Sequence, residues 1–586
     1  MTKAKELSEL ASAATVTSGN VALSGGLDVD GTTDLDVVDI DGAANFAADV
    51  TFANGADIIT ASAGTSNVRV GVNAGNSIAS GGNYNTAVGD EAGTAITTGT
   101  VNTFVGYASG DATTTSGNNV GVGYASLGTN ILSSKNVAIG NNALKTHNLA
   151  SAGEGLNVAV GHGAGEEITT GGRHTLMGYA SGSALIDPDR NVAFGYGSLQ
   201  TDTKGAKSTA VGYSALNTQN FTSATDSFNT AVGYTAGESV TTGTRNTLIG
   251  ALAGDAMTVA PNNTALGYGA LGTNTTGGGN VGLGYEALTT MNVTNTSDTF
   301  NTAVGFRAGK TVTTGIQNTL IGGLAGDALT DADRNIAIGY LALTNDTLGN
   351  KSVAIGVGAL ETQNFTSATD VENVAIGYDA GGAITTGFKN TIVGSLGYDN
   401  LRNGDRNISI GYDTSASGID DSLAILIGVS ITSGGAGTAR LGNSGGTATL
   451  SLDGSDTSWA AASDSRLKKD VENSTVGLEF IKDLRPVTFK WNAKDAIANT
   501  LPQYDADSSD PIYGTGKAHH GFIAQEVKAV IDSHSDVVNG HNLWSEDPDG
   551  TQQVSPSALV PMLTKAVQEL STALDAALAR ITELEG

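Results

Sequence analysis

The chain has 586 residues, a formal net charge of −29, 81 glycines and no cysteine. Aromatic residues make up only 5% of it and charged residues 15%, which argues against a single packed enzyme core and favours a β-rich repetitive body. The lack of cysteine excludes disulfides and thiolate metal sites. The acidic balance makes nucleic acid and anionic membranes poor partners, because both bind clustered Lys and Arg.

The first 66 residues are expected to form an attachment arm and a β-stalk. Glu6 and Glu9 fall where an export signal needs an apolar run, and no stretch of about 20 apolar residues predicts a membrane span. Residues 19–46 alternate apolar and polar positions with frequent glycine, as short strands do. The aspartates of residues 28–41 miss the spacing of a calcium loop and are interpreted as the solvent face of strands, so no metal and no cofactor is predicted.

Residues 67–412 contain twenty copies of a unit Asn-x-Ala-apolar-Gly. The glycines of this unit lie mostly 17 residues apart, and every fourth interval is 21 residues, so that a 72-residue repeat separates Gly89, Gly161, Gly233, Gly305 and Gly377. A 17-residue coil holds only two short strands and two turns and cannot bury a core alone. The coils are therefore expected to stack as a parallel β-roll, about 100 Å long at an inter-strand spacing of ~4.8 Å.

Each position of the unit supports a prediction. The residue before the glycine is apolar in all twenty units, which we interpret as an inward-facing strand position. Asn stands four before the glycine in all units except those with His174, Ser208 and Ser352. It is expected to adopt left-handed backbone geometry at corners and to form hydrogen-bonded ladders between coils. Ala or Ser, three after the glycine in eighteen units, fits either a narrow interior or a tight subunit contact.

A roll this thin has little interior, so side-by-side association is expected, most simply as a homotrimer. The unit resembles the "NxAIGxxA" head repeats of trimeric autotransporter adhesins, over about residues 67–412. That resemblance implies a left-handed parallel β-roll in a trimer. The adhesin repeat is usually shorter, which leaves the loop conformations open.

Every fourth coil has four extra residues, all in polar loops within residues 146–157, 218–229, 290–301 and 362–373. If the coils stack in register, these loops project from one side as a row. The row is either a binding ridge or spacer variation left by duplication of a four-coil unit. The repeat itself does not distinguish the two.

Residues 413–462 are expected to form a β-rich stalk or distal tip, and the composition changes abruptly at residue 463. Residues 557–586 predict a C-terminal helix whose apolar residues keep the alternating four-three spacing of a coiled coil, able to hold three chains in register. The predicted trimerisation positions are Leu563, Val567, Leu570, Leu574, Ile581 and Leu584.

Three motifs in residues 463–556 carry a second resemblance: "SDSRLKKDV" (463–471), "LEFIKDLRPVTFKW" (478–491) and "HHGFIAQEV" (519–527). With the terminal helix they closely resemble the intramolecular chaperone domain of phage tailspikes and fibres, the S74 peptidase family. That family's domain trimerises, guides folding of the fibre upstream and then cuts itself off. The resemblance assigns the nucleophile to Ser463, the base to Lys468, an oxyanion donor to the Gly521 backbone N–H and a neighbouring helper to His520.

The chemistry agrees with this assignment. Serine is a weak nucleophile until a base takes its proton, and a lysine can do so when burial or a nearby cation such as Arg466 lowers its pKa. Ser463 Oγ would attack the carbonyl of Ala462, giving an ester that water opens. A chaperone domain without cleavage, in which Ser463 caps the next element, is the alternative.

The sequence thus predicts a mainly β, trimeric phage tail fibre with at most single-turnover autoproteolysis. Its expected partners are two further copies, baseplate or tail proteins bound through the N-terminus, and a host-surface glycan or outer-membrane protein. It would be assembled in the host cytoplasm and located in the virion. A depolymerase acting on host polysaccharide and a trimeric cell-surface adhesin are the alternatives; sparse aromatic residues disfavour the first, and the second needs an export signal and a membrane barrel.

Overall fold

The structure is a computed structural model that describes residues 14–17, 20–23, 62–452, 460–461, 465, 468–499, 501, 503–513, 516–537, 542–547 and 550–586. The chain divides into two compact units, Met1–Ala461 and Ala462–Gly586. Ser463, Ala462 and the aspartates of residues 28–41 lie outside the described residues. Within the described part, no helix combines the length and apolar character needed to cross a membrane.

The first unit is built of short strands, nearly all of two or three residues. In chain order they are β1 Ala14–Thr17, β2 Asn20–Leu23, β3 Val68–Val70, β4 Thr86–Val88, β5 Thr103–Val105, β6 Val120–Val122, β7 Ser133–Ser134, β8 Val137–Ile139, β9 Gly153–Glu154, β10 Val158–Val160, β11 Thr175–Met177, β12 Val192–Phe194, β13 Gly205–Ala206, β14 Thr209–Val211, β15 Thr225–Asp226, β16 Thr230–Val232, β17 Thr247–Ile249, β18 Thr264–Leu266, β19 Val281–Leu283, β20 Thr302–Val304, β21 Thr319–Ile321, β22 Ile336–Ile338, β23 Gly349–Asn350, β24 Val353–Ile355, β25 Thr369–Asp370, β26 Val374–Ile376, β27 Thr391–Val393, β28 Ile408–Ile410, β29 Ile425–Val429, β30 Thr438–Asn443, β31 Gly446–Ser451 and β32 Ala460–Ala461.

The three-residue strands form one parallel ladder in which each coil pairs with the next. Thr86 pairs with Thr103, Thr103 with Val120 and Val120 with Val137, and the same register continues along the chain. The predicted parallel β-solenoid with a 17-residue coil is confirmed. The ladder continues past residue 412, where the repeat motif ends, since β28 pairs with β29 and β29 with β30 in parallel; β31 and β32 then add antiparallel strands.

The middle residue of each ladder strand faces the interior. Ala231, Leu248 and Ala265 are fully buried, whereas the residues on either side of them are partly exposed. The prediction that the residue before the glycine faces inward is therefore wrong. Successive side chains of a strand point to opposite faces, and the small middle residue takes the narrow inside. An apolar residue before every glycine consequently lies on the outer face of the sheet.

The small residue three after the glycine belongs to the interior, not to a surface contact: Ala92, Ser109 and Ala253, for example, are fully buried. The repeat glycine makes the close stacking possible. Gly250 has a φ of +134°, and a Cβ atom there would lie 2.5 Å from the carbonyl oxygen of Gly267 in the next coil. Any larger residue would force adjacent coils apart.

The asparagines form the predicted hydrogen-bonded ladder. Asn102 donates its backbone N–H to Asn85 Oδ1 (3.0 Å) and an Nδ2–H to the Ser116 carbonyl oxygen (3.0 Å). The prediction of left-handed geometry at these asparagines is wrong, because the positive φ falls on the residue before, such as Val101 (φ 60°). The corner therefore lies at the residue before the Asn, and the Asn itself leads directly into the strand.

His174 replaces Asn in one rung of the ladder and keeps both hydrogen bonds. Its Nδ1 accepts the backbone N–H of Asn191 (3.2 Å), and its Nε2–H donates to the Pro188 carbonyl oxygen (2.7 Å). These bonds require the neutral ring protonated on Nε2. Burial lowers the pKa of His174 to about 4, which keeps the ring neutral at pH 7.

The second unit is small and mixed. Its elements are α1 Leu478–Asp483, β33 Val487–Phe489, a 3₁₀ turn Lys494–Ala496, β34 His519–Gly521, α2 Ala524–Ser533, β35 Trp544–Glu546, β36 Gln552–Val554, a 3₁₀ turn Pro556–Ala558 and α3 Leu559–Glu585. β33 pairs antiparallel with β34, and β35 with β36. Phe480, Val527, Leu543, Leu559 and Met562 belong to one buried core that joins all three helices.

Candidate functional site

The predicted catalytic residues are described only in part. Lys468 and the residues after it, up to Thr475, are exposed, and the Lys468 backbone N–H donates to the Ser465 carbonyl oxygen (3.2 Å). The expected burial of Lys468 is therefore not found. Because Ser463 lies outside the described residues, the structure gives no distance between the two side chains. The Ser463–Lys468 pair stays a prediction.

His520 and Gly521 lie in β34, which pairs antiparallel with β33. His520 pairs with Thr488 in register, and its Nδ1 is 3.4 Å from Thr488 Oγ1. Gly521 packs against Phe489, whose Cε1 would be 3.1 Å from a Cβ atom at residue 521. A side chain at residue 521 would press on the Phe489 ring, so glycine allows this close packing beside His520.

These two residues open onto a groove of about 750 Å³. Aromatic rings form much of its wall: Trp491 packs edge-on against both Phe489 (5.2 Å between centroids) and Tyr513 (4.9 Å). The opposite wall contains Gln552 and Val554 of β36. An apolar groove with a few polar groups is the common form of a ligand-binding site.

A surface ion pair joins the residue before Pro486 to helix α2. The Arg485 guanidinium donates two hydrogen bonds to the Glu526 carboxylate, one of them from Nε at 2.9 Å. Glu526 lies in the first turn of α2, three residues after the loop that follows Gly521. The hydrogen bond from Arg485 lowers the pKa of Glu526. The charge therefore stays in place down to acidic pH.

Helix α3 has two apolar faces with different surroundings. Leu559, Met562 and Ala566 are buried in the core. The predicted trimerisation residues are all 44–75% exposed, the most exposed being Leu584 at 75%. They are Leu563, Val567, Leu570, Leu574, Ile581 and Leu584. An exposed stripe of this spacing is typical of a helix that pairs with other helices.

The inner side of α3 is fixed to α1 by one carboxylate. Glu569 accepts the backbone N–H of Leu478 at 2.8 Å, and a Cβ atom at Gly477 would lie 2.4 Å from the same carboxylate. The bond lowers the pKa of Glu569. Sequence reasoning missed this contact, since the two residues are 91 positions apart and no pattern links the motif that begins at Leu478 to Glu569.

The four projecting loops of the first unit are each joined to the coil before them. Two-residue parallel strand pairs, or a single bridge in the third loop, make the connection. In three loops a lysine of the coil forms an ion pair with the loop: Lys135 with Glu154, Lys207 with Asp226, and Lys351 with Asp370. The loops are therefore regular features of the 72-residue repeat. Among the described residues, no group of three or more His, Asp or Glu side chains is arranged to hold a metal ion.

Comparison with protein families gives one match. Residues 463–536 match the family model Peptidase S74, described as the chaperone of endosialidase, and the match begins at Ser463. The chain thus contains a C-terminal chaperone domain of this kind behind a β-solenoid, which is the organisation of a tail fibre or tailspike. Neither the curated proteins nor the solved structures searched contain a match.

Proposed function

We propose that this protein is the subunit of a homotrimeric phage tail fibre that attaches the virion to its host. In this proposal the N-terminus binds baseplate or tail proteins and the exposed parts of the solenoid contact a host-surface receptor. The C-terminal domain guides folding and then removes itself between Ala462 and Ser463. The observation that carries the proposal is the match of residues 463–536 directly behind a repetitive solenoid.

The outer face of the ladder supports association of several copies. In all twenty coils the strand residue before the middle one is Val, Thr or Ile, and the residue after it is apolar, so the outer face carries no charge. Phe194, Leu266 and Val70 on this face are 46–54% exposed. Soluble monomers rarely expose a continuous apolar patch larger than a few hundred Å². A face of about 100 Å in length therefore fits contact with other copies.

The exposed stripe of α3 supports association at the C-terminus as well, because helices with this spacing pack as a coiled coil. A coiled coil at the C-terminus would align the chains before the solenoid forms. Coils as alike as those ending in Gly233 and Gly305 could pair out of register between chains. Holding three C-termini together sets the alignment before the coils close.

The proposed cleavage uses residues of this chain only. Lys468 takes the proton of Ser463 Oγ, the oxygen attacks the Ala462 carbonyl carbon, and the peptide nitrogen leaves with a proton. The Gly521 backbone N–H would stabilise the oxyanion, with His520 beside it. Water then opens the ester, leaving a carboxylate on Ala462 and a free amine on Ser463. Once the clamp has gone the fibre cannot retrace its folding path and is kinetically trapped.

Intact-mass measurement of the native chain and of Ser463→Ala tests this proposal. The native chain is expected to lose its last 124 residues, 463 to 586, whereas Ser463→Ala stays whole. Equal masses without that loss would contradict self-cleavage. The mass of the assembled particle in solution, measured on both samples, tests the trimer independently.

A further inference from the structure

A recess of about 570 Å³ lies beside the second projecting loop. Three acidic and three basic side chains surround a small apolar patch. The charged residues are Asp187, Asp189, Arg190, Lys204, Lys207 and Asp226, and the patch is formed by Pro188, Ala206 and Ala224. None of them lies in a strand of the parallel ladder.

A related set of residues recurs 144 positions later, beside the fourth loop. It consists of Asp331, Asp333, Arg334, Lys351, Asp370 and Ala368, with Ala332, Leu348 and Asn350 at the positions of Pro188, Lys204 and Ala206, so that it has three acidic but only two basic side chains. The first and third loops lack the set: Gly117 and Pro261 stand at the position of Asp189. The arrangement is therefore specific to two loops of the four.

The two loops have the same surface residues although the coils before them differ. Residues 218–226 and 362–370 are identical over nine positions, whereas the preceding residues 204–217 and 348–361 differ at seven of fourteen. The differing positions include outer-face positions of the ladder strands. Phe221 is buried, but Thr222, Ser223 and Ala224 are exposed. Identity at exposed positions beside divergent strands indicates a shared surface role.

Two carboxylates of the recess, those of Asp187 and Asp189, are each held in place through Oδ1. Asp187 Oδ1 accepts hydrogen bonds from the Thr169 and Thr170 hydroxyls (2.7 and 3.0 Å). Asp189 Oδ1 accepts the Gly172 backbone N–H (3.0 Å), and its Oδ2 is 3.9 Å from Arg190. Both side chains are thus oriented by the solenoid. Asp187 keeps Oδ2 for another donor, whereas Asp189 Oδ2 faces the Arg190 guanidinium.

We propose that the second-loop recess binds a neutral oligosaccharide of the host surface, with the related set at the fourth loop as a second contact, an inference that rests on the proposed role in host attachment. In the second-loop recess three positive and three negative groups give no net attraction for a charged ligand. Sugar hydroxyls both donate and accept hydrogen bonds, so fixed carboxylates and ammonium groups suit them together. The patch of Pro188, Ala206 and Ala224 offers an apolar surface for the C–H face of a sugar ring.

The spacing of the recesses suits a repeating polymer. Eight coils separate them, which corresponds to about 38 Å at ~4.8 Å per coil. One polysaccharide chain that reaches both sites would bind more tightly than to either alone, since the second contact becomes intramolecular.

Binding of the full-length protein to an array of neutral and acidic oligosaccharides tests the proposal. Ala224→Trp fills the second-loop recess, and Ala368→Trp places the same bulk on the related set at the fourth loop. Ala152→Trp is the matched control, because it stands at the same position of the first loop and is equally exposed. The native protein and Ala152→Trp are expected to bind the same neutral glycans. Each single variant should weaken polymer binding at least about tenfold, and the double variant should abolish it.

Undiminished binding by the double variant, binding of acidic glycans alone, or no glycan binding by the native protein would each overturn the assignment. A failure of the fibre proposal is measured separately, by the mass and association of the same preparation. In that case the chain would neither associate nor lose its last 124 residues, whatever the array shows.

Discussion

At the scale of single residues, the solenoid depends on groups that face the next coil. The Asn ladder shows this best, because each rung satisfies a backbone N–H that would otherwise be buried without a partner. His147 and His174 both belong to this network. His147 Nε2 is 3.3 Å from Asn157 Nδ2 and 2.8 Å from Ser133 Oγ, and the backbone N–H of His174 donates to Asn157 Oδ1 (3.0 Å).

These histidines make stability depend on pH. Burial lowers the pKa of each from 6.5 to about 4, so the unfolded chain binds more protons than the folded chain between those values. Their stability contribution is complete above pH 6.5 and is lost as the pH falls towards 4, by about 3 kcal/mol for each histidine. Thermal unfolding between pH 7 and 4 should show the fall.

The variant His174→Asn restores the usual residue of the rung and should reduce this pH dependence by about half. The exposed His162 provides the control, because His162→Asn should leave the profile unchanged. A native profile that is flat from pH 7 to 4, or one that His174→Asn does not alter, would contradict the role of the buried rings.

At the scale of elements, the four-coil repeat has a packing explanation. The interior position four after the repeat glycine is Gly in two successive coils and Leu in the next two, as in Gly237, Gly254, Leu271 and Leu288. The large Leu248 fills the space that the glycines leave: a Cβ atom at Gly237 would lie 2.6 Å from it and one at Gly254 2.8 Å. The large and small interior side chains of neighbouring coils therefore fit together only when the coils follow in this order.

A double-mutant cycle measures this complementarity. Leu248→Ala should destabilise the protein by about 2–5 kcal/mol through the cavity it leaves, and Gly254→Leu should destabilise it by overpacking. Leu is accepted at this left-handed position elsewhere, as Leu271 (φ 53°) shows. The double variant should thus be more stable than the sum of the two single effects predicts. Simple additivity in the unfolding free energies would contradict the size match.

Much of this architecture could be predicted from sequence and part could not. The spacing of Gly89, Gly161 and their equivalents defines coil length, stacking and the ladder. The residues before the glycine leave the inward side of a strand ambiguous, because Ala303 and Val304 are both apolar. The signal that could have identified the outer face is the Thr that precedes the middle residue in many coils, such as Thr302. The recess beside Asp187 was missed for another reason: its residues meet only after coils stack, across 39 positions from 187 to 226.

At the scale of the whole molecule, the proposed association of chains depends on the outer face of the ladder. Ile321→Asp with Ile338→Asp places two charges on that face, where the residues are partly exposed. The coils should still form, because the buried Leu320 and Ala337 are untouched. Association should weaken, since a charge would be buried without a partner.

Val101→Asp is the control: Val101 is 50% exposed but stands at a corner before the strand. Sedimentation velocity with circular dichroism separates association from folding, and a double variant that associates like the control would contradict the assigned face.

Sedimentation equilibrium of the purified full-length Ser463→Ala chain tests most directly whether the uncharged sheet face is covered by other copies. Three times the chain mass of 58.7 kDa is the predicted result. A particle of one chain mass that keeps its β-sheet circular dichroism would show that the solenoid stands alone with its apolar face in water, and would contradict the trimeric fibre.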